Sequence, residues 1–222
     1  MEYRIDGKRV EIFRARNAGN PAIYINTFEG MGAQLREALA SMGAPDHTLV
    51  AISDVDWNKD MAPWAIPAIY PGDTPCTGGA DAYLQEMLQD IIPFVESRTG
   101  APSWRGLAGY SLAGLLAVYA MYSTDAFSRF ATMSGSLWFP DLTEYISSHE
   151  MKVSPECIYF SLGDKECKTS NKYLCVVQKN TEAIYSRYKE AGIQTTFVLN
   201  KGNHYQEAIQ RTADGIYWIL TR

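Results

Sequence analysis

The stretch "RGLAGYSLAGLLAVYA" (residues 105–120) decides the fold of this chain. A short apolar run ends near Gly109, and a longer, strongly apolar run with helical character begins just after Ser111. This order predicts a strand that turns sharply into a buried helix, the nucleophile elbow, with Ser111 at the turn. Gly109, Ala113 and Gly114 are small enough for the close approach of the two backbones that such a turn requires. Under the alternative interpretation, Ser111 simply caps the helix.

Strand-like and helix-like segments alternate on both sides of this stretch. We therefore predict an α/β fold with a mainly parallel central sheet, helices on both faces and no separate cap domain. Residues 2–13 resemble a hairpin that adds an antiparallel edge, and residues 58–81, rich in proline and glycine, show no helical period. The predicted strands cover residues 21–28, 47–57, 104–111 and 193–204, and two further segments, 127–139 and 156–166, are each predicted as a strand that runs into a loop. The predicted helices cover 32–43, 82–100, 112–123, 141–150, 171–192 and 205–222.

The composition is that of a globular protein with a sizeable core. The chain has 222 residues, of which 46% are hydrophobic and 12% aromatic, and we expect one domain over residues 1–222. The net charge of −5 and the scattered Lys and Arg residues argue against nucleic acid or an anionic membrane as the main partner. No apolar run approaches the roughly 18 residues of a membrane helix, and the N-terminal residues lack the layout of a signal peptide.

The cysteines favour a reducing environment. Cys76, Cys157, Cys167 and Cys175 form no CxxC pair, so we expect free thiols and a cytoplasmic location. The chain has three histidines, and none has ligand spacing to a cysteine. We therefore expect no metal site and no cofactor. A homo-oligomer is compatible with the composition.

Histidine is the base that a serine nucleophile usually needs. When a serine lies at a strand-to-helix turn of this kind, the acid and then the histidine follow it along the chain, each just beyond the C-terminal end of a strand. His204 meets this condition, because it comes directly after the last predicted strand. His47 precedes Ser111 at the start of a strand, and His149 ends a polar helix where a surface position is expected. His204 is therefore the candidate base for Ser111.

The acid that orients this histidine is expected after the strand "CIYFSLG" (157–163). An acid three residues beyond the glycine that ends such a strand is the commoner placement, which favours Glu166. Asp164 is the alternative, and an ordinary solvated loop would also account for both carboxylates, since Lys165 lies between them.

Two backbone N–H groups are expected to form an oxyanion hole. One belongs to Leu112, the residue after the candidate nucleophile. The other comes from the loop after the early strand "AIYIN" (22–26), and therefore from Thr27 or Phe28.

The sequence resembles the esterase family of α/β-hydrolases that contains esterase D-like enzymes and siderophore-ester hydrolases. The resemblance extends over nearly the whole chain and implies an α/β-hydrolase fold and a serine hydrolase that uses Ser111, His204 and either Glu166 or Asp164. The family's glycine-containing oxyanion loop corresponds here to "NTFEGMG" (26–32), and some siderophore esterases of this kind are thought to work without an effective acid. The segments that carry the resemblance are "RGLAGYSLAGLLAVYA", "SGSLWFPDLTEY" (134–145), "DWNKDMAPWAIP" (56–67), "GGADAYLQEMLQDIIP" (78–93), "SLGDKE" (161–166) and "GNHYQEAIQRTADGI" (202–216).

These residues predict hydrolysis of a small-molecule carboxylic ester, with a small acyl or aryl group, through an acyl-enzyme. Without a cap domain, the Trp- and Pro-rich segment 57–80, which includes Trp64, is expected to wall the substrate pocket, and Trp138 is a second candidate wall. For any single aromatic residue, core packing beneath a long loop is an equally good interpretation.

Three alternatives to this function stay open. A siderophore-ester hydrolase would act on anionic ferric catecholates, and basic residues are expected near such a site, against which the net charge of −5 weighs mildly. Thioester hydrolysis and acyl transfer use the same residues. A catalytically silent binding protein could share the fold, although such relatives usually lose the serine or the histidine.

Overall fold

A single eight-stranded sheet forms the centre of the computed structural model, which describes residues 1–28 and 30–222. The strands of these residues are β1 (Glu2–Ile5), β2 (Lys8–Phe13), β3 (Ala22–Asn26), β4 (Thr48–Ser53), β5 (Ala65–Ile66), β6 (Cys76–Thr77), β7 (Arg105–Tyr110), β8 (Arg129–Met133), β9 (Cys157–Gly163) and β10 (Gln194–Asn200). The sheet order is β1-β2-β4-β3-β7-β8-β9-β10, while β5 and β6 form a separate ribbon. Within the eight-stranded sheet, the pairings along β4-β3-β7-β8-β9-β10 are parallel, and those of β2 with β1 and β4 are antiparallel. The prediction of a mainly parallel sheet is confirmed.

Helices cover both faces of this sheet, as predicted. Successive side chains of a strand point to opposite faces, so Ile25 joins an apolar cluster with Leu39 and Ile216, while Tyr24 joins the cluster of Leu115. The helices of the described residues are α1 (Gly32–Ser41), α2 (Trp57–Asp60), α3 (Ala80–Glu86), α4 (Ile92–Thr99), α5 (Leu112–Ser123), α6 (Leu142–Ser148), α7 (Val177–Glu190) and α8 (Ala208–Leu220). The cluster of Ile25 contains residues of α1 and α8, and the cluster of Tyr24 contains residues of α3 to α7. Among the described residues, no helix is long and apolar enough to cross a membrane.

The helix predicted over residues 82–100 contains a π-helical turn, Met87–Ile91, between α3 and α4. Pro93 lies in the first turn of α4. Proline lacks the N–H that an α-helix needs, and its ring clashes with the carbonyl group four residues earlier. The wider π turn accommodates the proline, and the chain stays helical through it.

The segment 58–81 is more ordered than predicted. It contains most of α2, whose first turn is capped because the side chain of Asp56 accepts a hydrogen bond from the N–H of Lys59 (3.3 Å). It also contains β5 and β6, which pair in antiparallel fashion. Elements of two to four residues are too short to show a period in the sequence, which explains why the pattern missed them.

The strands predicted over 47–57 and 193–204 end four residues earlier than predicted, at Ser53 and Asn200, whereas the loops predicted after β8 and β9 are present. The residues beyond the parallel strands form loops at one rim of the sheet. After β8, Ser134 has a φ of 45°, which a strand cannot contain. β9 ends at Gly163 and β10 at Asn200. Because parallel strands end at the same edge of a sheet, the residues that follow β3, β7, β8, β9 and β10 collect there.

Candidate active site

Ser111 lies at a strained turn between β7 and α5. Its backbone has a φ of 58° and a ψ of −125°, a conformation that residues other than glycine rarely adopt. The Ser111 N–H donates to the carbonyl oxygen of Met133 (3.1 Å), and its carbonyl oxygen accepts from the N–H of Ser136 (2.9 Å). The turn is therefore tied to β8 and to the loop beyond it, which keeps the hydroxyl at the rim of the sheet.

The small residues around Ser111 let β7 and α5 approach closely enough to form this turn. A Cβ atom on Gly109 would collide with the backbone of Ala113, and one on Gly114 would lie 2.7 Å from Thr132 Oγ1 and 2.9 Å from the Cα of Gly135. Ala113 itself has room for its methyl group and is buried. The two glycines are thus a steric requirement, and alanine is tolerated two residues after the serine.

The rim of the sheet brings Ser111, His204 and Glu166 together. The Nε2 atom of His204 lies 3.1 Å from Ser111 Oγ, and its Nδ1 atom lies 2.7 Å from Glu166 Oε2. The serine follows β7, the glutamate follows β9 and the histidine follows β10. An imidazole held between a hydroxyl and a carboxylate can remove the hydroxyl proton, which is the arrangement of a catalytic triad.

Glu166 is held as a carboxylate. Burial alone would raise its pKa, but the hydrogen bonds from His204, Ser134 and the N–H of Gly163 outweigh burial, and the pKa of Glu166 is lowered. The bonds from Ser134 Oγ and from Gly163 N both reach Oε1 and measure 2.7 Å. With Glu166 ionised, Nδ1 of a neutral His204 carries the hydrogen, and Nε2 is free to accept from Ser111.

Asp164, the alternative acid, hydrogen-bonds to the histidine's loop and not to its ring. Its Oδ1 atom accepts from the N–H of Gly202 (2.8 Å), and this hydrogen bond is the main cause that lowers the pKa of Asp164. Gly202 precedes His204 by two residues. The structure therefore places Glu166 against the imidazole and Asp164 against the start of its loop.

Two further side chains adjoin this arrangement, and the sequence patterns above do not single them out. Tyr110 Oη donates to the carbonyl oxygen of His204 (2.6 Å). The guanidinium group of Arg211, on α8, is buried and lies 3.5 Å from Glu166 Oε1. The sequence does contain a signal for Arg211. This residue lies four positions before Gly215, on the buried face of α8, and a charged side chain is unusual on such a face.

The candidate oxyanion donors differ in how free their N–H groups are. The first N–H groups of α5 have no acceptor within the helix, and Leu112 lines a pocket beside Ser111. The N–H of Thr27 donates to a carbonyl oxygen of β4 (2.7 Å), so Thr27 is excluded as a donor. Phe28, the alternative, lines the same pocket. Glu29, in the predicted oxyanion loop, lies outside the described residues.

The pocket in front of Ser111 has a volume of about 550 Å³. Its wall includes five aromatic side chains and the acidic residues Asp73 and Glu166, but no Lys or Arg of the described residues. The carboxylate of Glu166 is hydrogen-bonded to His204, so Asp73 is the other acidic residue among the described residues of the wall. The aromatic lining residues are Phe28, Trp57, Tyr70, Trp138 and Tyr205.

Of the two tryptophans predicted to wall the pocket, the structure places one there. Trp138 lines the pocket. Trp64 does not: its indole N–H donates to the carbonyl oxygen of Pro140 (3.1 Å), and its ring packs at an angle against Phe139, 5.7 Å between centroids. The expectation for Trp64 is corrected on this ground, because its ring is used in core packing. Trp57 takes the corresponding place in the wall.

The other histidines bond locally. His47 Nδ1 lies 2.7 Å from the carbonyl oxygen of Pro45, and the ring of His149 stacks on Tyr145 at 4.0 Å. Within residues 1–28 and 30–222, no group of three or more His, Cys, Asp or Glu side chains could hold a metal ion.

Comparisons with known proteins give a family and a fold. The family model described as "Putative esterase" matches residues 25–208, which include Ser111, Glu166 and His204. The uncharacterized protein YbbA of Bacillus subtilis (strain 168) is 23% identical over 216 residues, which are 91% of this chain and 86% of YbbA. The siderophore hydrolase EstA from Aspergillus nidulans superposes with a TM-score of 0.76 at 17% identity, over 96% of this chain and 90% of EstA. An IroE-like serine hydrolase from Shewanella oneidensis gives a TM-score of 0.72 at 17% identity, over 96% and 74% of the two chains.

Proposed function

Since the chain belongs to the "Putative esterase" family and is a carboxylic-ester hydrolase, we propose that it cleaves its ester through an acyl-enzyme formed on Ser111. The observation that carries this proposal is the pair of distances at His204, 3.1 Å to Ser111 Oγ and 2.7 Å to Glu166 Oε2. Both contacts lie at the wall of the aromatic pocket, where an ester can reach the hydroxyl.

Acylation begins when Ser111 Oγ attacks the ester carbonyl and His204 Nε2 takes the hydroxyl proton. Glu166 stabilises the imidazolium that forms. The negative oxygen of the tetrahedral intermediate is received by the N–H of Leu112 and, in our proposal, by that of Phe28, and each donor is worth on the order of 3 kcal/mol in the transition state. His204 then gives its proton to the alcohol, which leaves.

Water completes the reaction by attacking the acyl-enzyme, with His204 again as the base. The side chain of His204 is 30% exposed, so water reaches the base from the pocket. This access supports hydrolysis over acyl transfer, which needs a site that excludes water.

The pocket wall supports a neutral ester that carries an aromatic or other large apolar group. Trp57 and Trp138 offer flat apolar surface for such a group. An anionic substrate would meet the carboxylate of Asp73, with no Lys or Arg in the described wall to balance its charge.

A siderophore ester is the second candidate substrate. The similarity in fold to EstA, which is named a siderophore hydrolase, supports this candidate substrate. Siderophores of the catecholate type are anionic as ferric complexes, and the charge of this pocket is unfavourable for them.

A fluorophosphonate probe and a matched ester panel test these proposals. We expect wild-type protein to gain the mass of one phosphonyl group and Ser111→Ala to gain none. Unlabelled wild type, or labelling that persists in Ser111→Ala, would reject the serine mechanism. In a panel of aryl esters that differ only in charge, kcat/KM is expected to be higher for neutral than for anionic members, and Asp73→Asn is expected to narrow the difference. Equal values in wild type would contradict the assignment by charge.

We further propose that the protein works in the cytoplasm, on a small-molecule ester. The four cysteines are free, and Cys76 and Cys157 are buried, which supports a reducing environment. Cell fractionation combined with thiol alkylation before lysis tests this location. The expected result is four alkylated cysteines, after denaturation, in the cytoplasmic fraction.

A further inference from the structure

Arg211 is a buried cation beside the proposed catalytic residues that takes no part in the steps above. Its exposed fraction is 1%, and it does not line the pocket. Burial of a charge is costly unless opposite charge and hydrogen-bond acceptors surround it. The carboxylate nearest to it is that of Glu166, at 3.5 Å from Nη1 to Oε1.

The guanidinium group holds the loop that carries His204. Its Nη1 donates to the carbonyl oxygen of Asn203 (3.0 Å) and its Nη2 to that of Lys201 (3.1 Å). Between these residues, the N–H of Gly202 donates to Oδ1 of Asp164, the residue directly after β9, at 2.8 Å. The loop is therefore fixed from two sides immediately before the imidazole.

We infer that Arg211 is a positioning residue for the proposed hydrolysis: its two-pronged hydrogen bonds fix His204 against Ser111, and its charge faces the Glu166 carboxylate at 3.5 Å. The inference rests on the proposed function. Arginine suits this place because its planar fork reaches two carbonyl groups at once, whereas lysine offers one compact charge. Nη1 also lies 3.4 Å from Ser134 Oγ, which itself donates to Glu166.

The charge of Arg211 has a consequence for the pH dependence. The groups that face Glu166 are His204, Arg211, the hydroxyl of Ser134 and the N–H of Gly163, with the phenol of Tyr110 next to them. Arg211→Met would remove a positive charge that lies 3.5 Å from the Glu166 carboxylate, which makes protonation of this carboxylate easier. The acid limb of the activity profile is therefore expected to move to higher pH.

Three variants separate the two roles of Arg211. Arg211→Met removes the charge and the fork, Arg211→Lys keeps the charge but loses the fork, and Ile216→Ala removes a buried contact on the same helix without touching the loop. The readouts are kcat and KM for one neutral aryl ester, and the dependence of kcat on pH.

We expect Arg211→Met to lower kcat on the order of 100-fold with little change in KM, and to move the acid limb of the kcat profile to higher pH. Arg211→Lys should lower kcat while the acid limb stays at its wild-type pH. Ile216→Ala should lower thermal stability and leave kcat and its pH profile unchanged.

Several results would overturn the inference. One is an acid limb at the wild-type pH in Arg211→Met, and another is a wild-type kcat in either arginine variant. Loss of kcat in Ile216→Ala as large as in Arg211→Met would reduce Arg211 to a structural residue. If Arg211→Met does not fold, the kcat of Arg211→Lys still decides the role of the fork. Failure of wild type to react with the fluorophosphonate would reject the proposed function instead.

Discussion

The hydroxyl of Tyr110 donates to the carbonyl oxygen of His204 across 2.6 Å, and the two residues are 94 positions apart in the chain. Tyr110 directly precedes Ser111, so the turn that presents the hydroxyl is fastened to the loop that presents the imidazole. The two rings also lie 5.4 Å apart between centroids. Their contact joins the end of β7 to the loop after β10, across β8 and β9.

Removal of this single hydrogen bond is expected to slow the reaction. Tyr110→Phe keeps the ring and loses a hydrogen bond worth about 1 kcal/mol, which corresponds to a fall in kcat of roughly fivefold if the loop loosens accordingly. Tyr122→Phe is the matched control, because it breaks the hydrogen bond to Tyr188 (2.9 Å) outside the pocket wall. Steady-state kinetics and urea unfolding of both variants check this. If Tyr110→Phe and Tyr122→Phe have the same kcat, the Tyr110 hydroxyl has no specific effect on the site.

The two acids near His204 are expected to differ strongly in effect. Glu166→Gln leaves the imidazole without its carboxylate and should lower kcat by about 10³- to 10⁴-fold. Asp164→Asn keeps an oxygen that can accept from the N–H of Gly202, and should change kcat far less. The measurement is kcat for one ester at neutral pH. Equally mild effects would favour a mechanism of Ser111 and His204 alone.

Glu166 also links stability to pH. Its pKa is lowered from 4.5 in the folded protein, so its ionised form stabilises the fold above this value, and the contribution is lost as the pH falls through the lowered pKa. Glu166→Gln cannot titrate. The difference in unfolding free energy between wild type and Glu166→Gln is therefore expected to be larger at about pH 7 than at about pH 3. Urea unfolding at both pH values tests this, and a difference independent of pH would contradict it.

The two tryptophans predicted from the sequence offer a paired test of the pocket. Trp138→Ala removes part of the aromatic wall and should raise KM for an aryl ester by roughly fivefold, since an aromatic contact is worth about 1 kcal/mol. Trp64→Phe loses the hydrogen bond to Pro140 within the core, which should lower stability by about 1 kcal/mol and leave KM unchanged. A rise of KM in Trp64→Phe alone would show that the walls are assigned wrongly.

A site residue was predictable from the sequence when its role follows from its position relative to a strand. It was not predictable when its role depends on contacts with distant parts of the chain. Ser111, Glu166 and His204 follow the carboxyl ends of parallel strands in a fixed order, and such order is visible in one dimension. Thr27 and Phe28 are neighbours in one loop, and only the hydrogen bond from Thr27 to β4 separates them.

Other features depend on three-dimensional packing that no short pattern records. Trp64 belongs to the core because it meets Phe139 there. The role of Arg211 arises where α8 passes the loop after β10, and the end of β8 is set by the positive φ of Ser134. The spacing of residues in the sequence therefore could not predict the packing of Trp64, the contacts of Arg211 or the end of β8.

The helix α8 shares an apolar cluster with α1, where Leu39 and Ile219 are both buried. During synthesis, Ser111 and its turn leave the ribosome well before β10, His204 and α8 do. A growing chain therefore contains Ser111 before the histidine that activates it has been synthesised. Ser111 becomes reactive only after β10, His204 and α8 have folded and α8 has packed against α1. Hydrolysis of an ester would accordingly report that the whole chain has folded.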